Sequence, residues 1–176
     1  MGSAALKMRD FVSTAALPDP NHFDLFVAAP MSTHGSDLAF AASQSMVMKT
    51  INDLIASGTA RRVYYAGAAI GPGQPFTASH DALEEDLGAL ARSSRLLLIY
   101  PAKLATGALV ELGYAMGLKI PVAILVREFD DLPYFMRHLR GLKTLPQSGP
   151  VSVRQFTSDE QLSSCARDAL GDLPQV

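Results

Sequence analysis

The chain has 176 residues, 48% of them hydrophobic, and a formal net charge of −2. That is enough for one domain with a sizeable core, because a protein of this size buries about 70% of the surface its unfolded chain exposes. The basic residues are scattered, so neither polymeric nucleic acid nor an anionic membrane is an expected partner.

The single cysteine, Cys165, excludes an internal disulfide and a cysteine metal cluster, and it fits a reducing, cytoplasmic compartment. No run approaches the ~20 apolar residues of a membrane span, and the N-terminus has no basic-then-apolar signal pattern.

Residues 1–21 mix small residues with Pro18 and Pro20 and read as a loosely ordered N-terminal extension, which leaves 22–176 as the domain. Phe23 to Ala29 is a short apolar run closed by Pro30, the pattern of a buried strand followed by the loop PMSTHGS. Ser36 is placed to cap a helix from Asp37 to about Ala56, with Phe40, Val47, Ile51, Leu54 and Ile55 at helical spacing and Gly58 beyond its end. Arg62 to Ala66 is the second strand. The stretch AGAAIGPGQPFTAS that it runs into is too rich in glycine and proline for regular structure. Ser79 then caps the helix HDALEEDLGALARSS, whose buried stripe is Leu83, Leu87 and Leu90. Asp86 lies on that stripe, while Glu84 and Glu85 point further towards solvent.

Arg95 to Tyr100, RLLLIY, is a near-continuous apolar run closed by Pro101, as in a central parallel strand buried on both faces. It leads into Leu104 to Leu118, LATGALVELGYAMGL, whose only ionisable acid is Glu111. At helical spacing Glu111 shares a face with Gly107, Tyr114, Ala115 and Leu118. That face is expected to look inward, where a carboxylate loses solvation unless it is paired or used. Ile120 to Val126 is the next buried strand. A short helix from Asp130 to Leu139 carries Pro133 in its first turn, Val151 to Phe156 is the last strand, and a helix from Ser158 to about Leu170 closes the chain.

Five strands alternating with helices predict a three-layer, doubly wound α/β domain of flavodoxin or Rossmann type, with a parallel sheet in the order 2-1-3-4-5. Ligands bind such sheets at the carboxyl ends of the strands, at the switch point between strands one and three. This topology brings together the PMSTHGS loop, the loop after Tyr100 and the first turns of the Glu111 helix. No GxGxxG, GK[ST] or GxSxG is present, and His22, His34, His80 and His138 have no metal-ligand spacing, so no dinucleotide-binding turn, no phosphate loop and no metal site is expected. Two lone acids remain, Asp86 and Glu111, on neighbouring helices that begin at the carboxyl edge. A carboxylate pair suits glycosidic chemistry: one acid can attack or stabilise a sugar carbon while the other serves the leaving group.

The segments YYAG, DLGALARSSRLLLIYP and GALVELGYAMGLKIPVAILV resemble the nucleoside 2-deoxyribosyltransferase superfamily, over roughly Phe23 to Val126. Within it the chain looks closest to the nucleoside monophosphate N-glycosidases, such as the cytidine monophosphate hydrolases of nucleoside-antibiotic pathways. The resemblance implies cleavage of the N-glycosidic bond of a nucleoside or its 5′-monophosphate, by hydrolysis or by deoxyribosyl transfer, with no cofactor. Glu111 would act at the anomeric carbon, and Asp86 would contact base or sugar and assist departure of the base.

Substrate-binding positions implied by the resemblance are Phe26, Pro30, Met31, Ser32 and Thr33 on and after the first strand, and Thr106, Gly107 and Tyr114 on the Glu111 helix. Backbone N–H groups at that helix start suit an anion. Members of the superfamily assemble as dimers or larger, which implies a homodimer or higher oligomer in which Arg137 and Arg140 reach a phosphate in trans. Three positions depart from the pattern: Ser32 stands where the nucleotide hydrolases place arginine, Phe26 where several relatives have tyrosine, and Ala105 where relatives have an acid or serine. Two other readings stay open beside this one: cleavage of a nicotinamide dinucleotide, as in TIR-like effectors, and a non-catalytic nucleotide-sensing module.

Overall fold

A computed structural model describes residues 20–31, 36–70, 80–104, 106–139 and 149–174. Nearly all of the expected N-terminal extension, the 71–79 part of the glycine-rich stretch with Ser79, and the site positions Ser32, Thr33, Ala105 and Arg140 lie outside the described residues.

Strands β1 (Leu25–Ala28), β2 (Val63–Tyr64), β3 (Leu96–Tyr100), β4 (Val122–Val126) and β5 (Val151–Gln155) form one parallel sheet in the order β2-β1-β3-β4-β5. Helices α1 (Asp37–Ala56) and α5 (Asp159–Gly171) cover one face, and α2 (His80–Ala91) and α3 (Ala108–Gly117) cover the other. The short α4 (Tyr134–Arg137) follows β4. This is the three-layer, doubly wound architecture that the alternation of strands and helices predicts.

Successive side chains of a strand point to opposite faces, and here that alternation divides the core in two. Leu25, Val27, Leu97, Ile99, Ala123 and Leu125 meet Val47, Ile51 and Leu54 of α1 and Leu162, Ala166 and Leu170 of α5. Phe26, Ala28, Leu98, Tyr100, Ile124 and Val126 meet Ala89 and Leu90 of α2 and Ala108, Leu112 and Ala115 of α3. Both faces of β3 and β4 are therefore buried, which is why these strands read as unbroken apolar runs.

The ends of α1 follow from local chemistry. Ser36 Oγ accepts from the Ala39 N–H at 3.2 Å, and Gly58, at φ +74°, takes the left-handed position that ends the helix at little cost. Ile55 is exposed instead of buried, because the stripe that meets the sheet runs through Val47, Ile51 and Leu54 and leaves Ile55 beside it.

Two expected elements are shorter than their sequence suggests. Pairing in β2 is confined to Val63 and Tyr64, because a 3-10 turn over Ala66–Ala69 begins two residues later. The expected helix over 130–139 is divided into a 3-10 turn at Phe129–Asp131 and α4. Pro133 explains the division: it disfavours helical backbone at the preceding residue, and Leu132 is extended at ψ 143°.

Candidate active site

The site is built where β1 and β3 end and α3 begins. Tyr100, the last residue of β3, accepts from the Leu104 N–H at 2.9 Å and also donates its hydroxyl to the Leu104 carbonyl. A single buried side chain thus holds the turn that delivers the chain to α3. Thr106 Oγ1 accepts from the Ala108 N–H at 3.4 Å at the helix start, and Gly107 beside it is exposed.

The face of α3 that meets the sheet is Ala108, Leu112 and Ala115. The expected inward face of Gly107, Glu111, Tyr114, Ala115 and Leu118 is therefore rotated: of these only Ala115 is buried, Glu111 is half-buried at the border, and Tyr114 and Leu118 are exposed. The i, i+4, i+7 line of small and apolar residues at 108, 112 and 115 takes the core position because it brings the helix backbone close to the sheet. Helix α2 departs from its expected stripe of Leu83, Leu87 and Leu90 in a similar way. Leu90 and Ala89 at its C-terminal end are buried, Leu87 is half-buried, and Leu83 is exposed.

Asp86 is half-buried on α2 and accepts the Tyr64 hydroxyl at 2.7 Å on Oδ1. Tyr64 is the last residue of β2, in register with Phe26 of β1. The Tyr64 ring stacks on the Phe26 ring at 5.3 Å between centroids with 20° between planes. Phe23 meets it edge-on at 5.4 Å. Phe26 is only 1% exposed, so it supports Tyr64 from within the core and offers almost no surface to a ligand, contrary to its expected role as a substrate contact. Pro30 is buried at the end of the same strand, and Met31 packs against the core on the α1 side.

Burial and neighbouring negative charge set the protonation of the two acids. Burial, and then the charge of Asp86, push the Glu111 carboxyl up from 4.5 to about 7. Burial also raises Asp86; the Tyr64 hydrogen bond opposes that rise, and the charge of Glu85 adds to it. Tyr64 is held well above the ordinary tyrosine value by burial and by Asp86. Tyr65 is pushed up to about 12 by burial and by the charge of Glu111, so it too lies within the field of that acid. Among the described residues neither acid has a salt-bridge partner.

Tyr64, Tyr65 and Tyr100 therefore shape the site, and none of the three is among its expected residues. Strand alternation carried the signal for Tyr64, since it places Tyr64 on the same sheet face as Phe26 and α2.

The segment after Tyr65 is fixed from two sides. Gln44 Nε2 of α1 donates to the carbonyls of Gly67 at 2.6 Å and Ile70 at 2.8 Å. Gly67 lies so close to the Tyr65 ring that a Cβ there would fall 2.4 Å from it.

Arg137 is engaged within its own chain. Its Nε donates to the Leu132 carbonyl at 2.7 Å, its Nη2 to the Asp130 carbonyl at 2.6 Å, and its Nη1 lies 3.3 Å from Asp130 Oδ1. The guanidinium thus closes the turn before α4, and reaching a partner's phosphate requires giving up these contacts. Among the described residues no group of three or more His, Cys, Asp or Glu side chains is arranged to hold a metal ion, and no helix is long and apolar enough to cross a membrane.

No protein-family model matches the chain, and no curated protein matches it. Fold and site geometry define an α/β domain in which Glu111, within the field of the Asp86 charge, stands at the start of the helix that follows β3, beside the switch point where ligands of such sheets bind.

Proposed function

We propose that this protein cleaves the N-glycosidic bond of a nucleoside or nucleoside 5′-monophosphate, with Glu111 as the group that acts at the anomeric carbon. The observation that carries this reading is the Glu111 carboxyl, half-buried at the carboxyl edge of the sheet and pushed up to about 7 by burial and by Asp86. Perturbed acids of this kind concentrate at reactive sites.

The ionised Glu111 oxygen forms a bond to C1′ as the C1′–N bond breaks, and the base nitrogen leaves with the bonding pair and takes a proton that the Asp86 carboxylate, ionised at rest, relays from solvent. Water then attacks C1′, gives its proton to Asp86 and releases Glu111, so that free base and free sugar are the products. A second base in place of water makes the same sequence a transfer reaction. The roles fit the electrostatics, because an oxocarbenium-like centre is stabilised by the negative charge the pair carries.

A second copy of the chain completes the reading. On α3 and its C-cap the side chains of Val110, Tyr114 and Leu118, 62%, 39% and 43% exposed, follow one another at four-residue spacing, and Leu83 of the packed helix α2 is 56% exposed. A contiguous exposed apolar strip of this kind marks an association surface, and here it lies on the helix that carries Glu111. Cys165 is free, in keeping with a reducing cytoplasm.

The test is a screen of nucleosides, nucleoside monophosphates and NAD for release of free base, run beside Glu111→Ala. Base release from at least one nucleoside or nucleotide, abolished in Glu111→Ala, is the expected result; release of nicotinamide alone transfers the chemistry to a dinucleotide. If no substrate is cleaved, or if Glu111→Ala cleaves as well as the parent, the proposal fails. Sedimentation of the parent as a dimer or larger, and of Val110→Lys as a monomer, is expected in parallel.

A further inference from the structure

Tyr64 is held more firmly than an edge-strand tyrosine needs to be. Its ring lies on Phe26 with 20° between planes and takes the edge of Phe23 on another side, and Phe23 in turn lies under the Arg62 guanidinium at 5.5 Å. With the ring fixed, the direction of the hydroxyl is fixed too. It reaches across from the sheet to α2 and meets Asp86 Oδ1 at 2.7 Å. Burial and Asp86 keep the phenol protonated, so it serves as a donor and not as a base.

We infer that Tyr64 is a positioning residue of the acid pair: its hydroxyl, donated to Oδ1, holds Asp86 as a charged carboxylate in one orientation beside Glu111. The inference rests on the proposed reaction for its catalytic meaning but not for its physical content.

Burial drives Asp86 towards the neutral acid, and the hydrogen bond from Tyr64 is the interaction that opposes this. Among the described residues, the titratable groups that act on the pair are Tyr64 at the end of β2, Glu85 on α2 and, on Glu111, Asp86 itself, while Tyr65, just after β2, lies in the field of Glu111. In that setting the phenol decides which acid is neutral. With the hydroxyl in place Asp86 keeps its charge, its repulsion falls on Glu111, and the first proton taken up as pH falls goes to Glu111. Two acids in one environment acquire different duties in this way, and the steps they show belong to the coupled pair.

Tyr64→Phe removes the hydroxyl and keeps the ring, its stack and its burial. The side-chain carboxyl signals of Asp86 and Glu111, followed by ¹³C NMR through a pH titration of the whole chain and assigned with Asp86→Asn and Glu111→Gln, read the pair directly without any substrate. A hydrogen bond to a charged acceptor corresponds to a shift of about one to two pH units. In Tyr64→Phe the Asp86 signal is therefore expected to titrate that much higher, and the proton step near 7 to be shared between the two signals. An Asp86 titration that does not move in a variant with a parental circular dichroism spectrum overturns the inference.

A second measurement needs no variant. The Tyr64 hydroxyl proton should exchange slowly with water while Asp86 is ionised and rapidly once it is protonated; equal rates on both sides of that step also overturn the inference. Where base release is measurable, Tyr64→Phe is expected to lower kcat about 10- to 100-fold and to leave KM within about threefold, while a KM change alone contradicts a positioning role. If no base is released by the parent, the proposed reaction fails while the titrations still decide the role of Tyr64.

Discussion

Replacing Glu111 by glutamine should stabilise the protein at neutral and alkaline pH, and by an amount that depends on pH in a defined way. In the folded chain the carboxyl titrates at about 7 against an ordinary 4.5. A neutral Glu111 is compatible with its half-buried place, so its contribution to stability is fully present below about 4.5. Between 4.5 and 7 the unfolded chain releases the proton and the folded chain keeps it, so stability falls as pH rises; above 7 both states are ionised and the loss is complete. The gap corresponds to about 3 kcal/mol, and solvent at the border of α3 reduces it to about 2–3 kcal/mol.

Glutamine is neutral throughout, so Glu111→Gln lacks this slope. The variant should match the parent near pH 4.5 and exceed it at pH 8 by roughly 5–10 °C in Tm. Circular dichroism melts at several pH values between these limits suit a chain without tryptophan. Asp53, held low by Ser163, Glu160, held low by Ser158, and Asp172, held low by Arg154, act in the opposite sense. Their contributions are lost only as pH falls through values below the ordinary carboxylate range, and they cancel between parent and variant. Tm curves for the two proteins that run parallel across the whole range would refute the reasoning.

Three further substitutions test the packing of the fold. Gly149→Ala puts a Cβ 2.4 Å from the Lys119 carbonyl oxygen and 2.7 Å from that of Ile120; backbone cannot yield cheaply, so urea unfolding should show a loss at the upper end of about 1–3 kcal/mol. Gly67→Ala meets the Tyr65 ring instead, and a ring can turn, so the loss should be smaller, about 1 kcal/mol, with a change in the near-ultraviolet tyrosine signal. Phe156→Ala empties a fully buried site whose ring lies 4.9 Å below the Arg127 guanidinium, and thermal or urea unfolding should register about 3–5 kcal/mol.

The strand order was legible because its causes are local and repeated. RLLLIY and IPVAILV are apolar at every position, a pattern that only strands covered on both faces sustain. Helices between consecutive strands force parallel pairing. Ser36 and Gly58 marked the ends of α1 for reasons that act within a single turn. The helix faces were less legible. Periodicity finds an apolar stripe but does not rank its members, and in α3 the small residues Ala108 and Ala115 with Leu112 took the core while the larger Val110, Tyr114 and Leu118 went outward. A ranking by size alone points the helix the wrong way, because close approach to a sheet favours small side chains and because exposed apolar residues can serve association.

The two acids were legible because their immediate neighbours are apolar, and a carboxylate among apolar residues is out of place. Tyr64 carries no such local mark. It reads as an ordinary residue of a short strand, and its partner is 22 positions away. Only the register of β2 on β1 and the packing of α2 against the same face bring the hydroxyl to Asp86. Phe26 shows the same limit from the other side. Treated as a single position, it reads as a substrate-facing aromatic; in the folded sheet it is the buried platform on which Tyr64 stacks, and the hydroxyl stands on the neighbouring strand. A site of this kind is assembled across strands, because register and stacking, not position in the chain, decide which side chain brings a hydroxyl to Asp86.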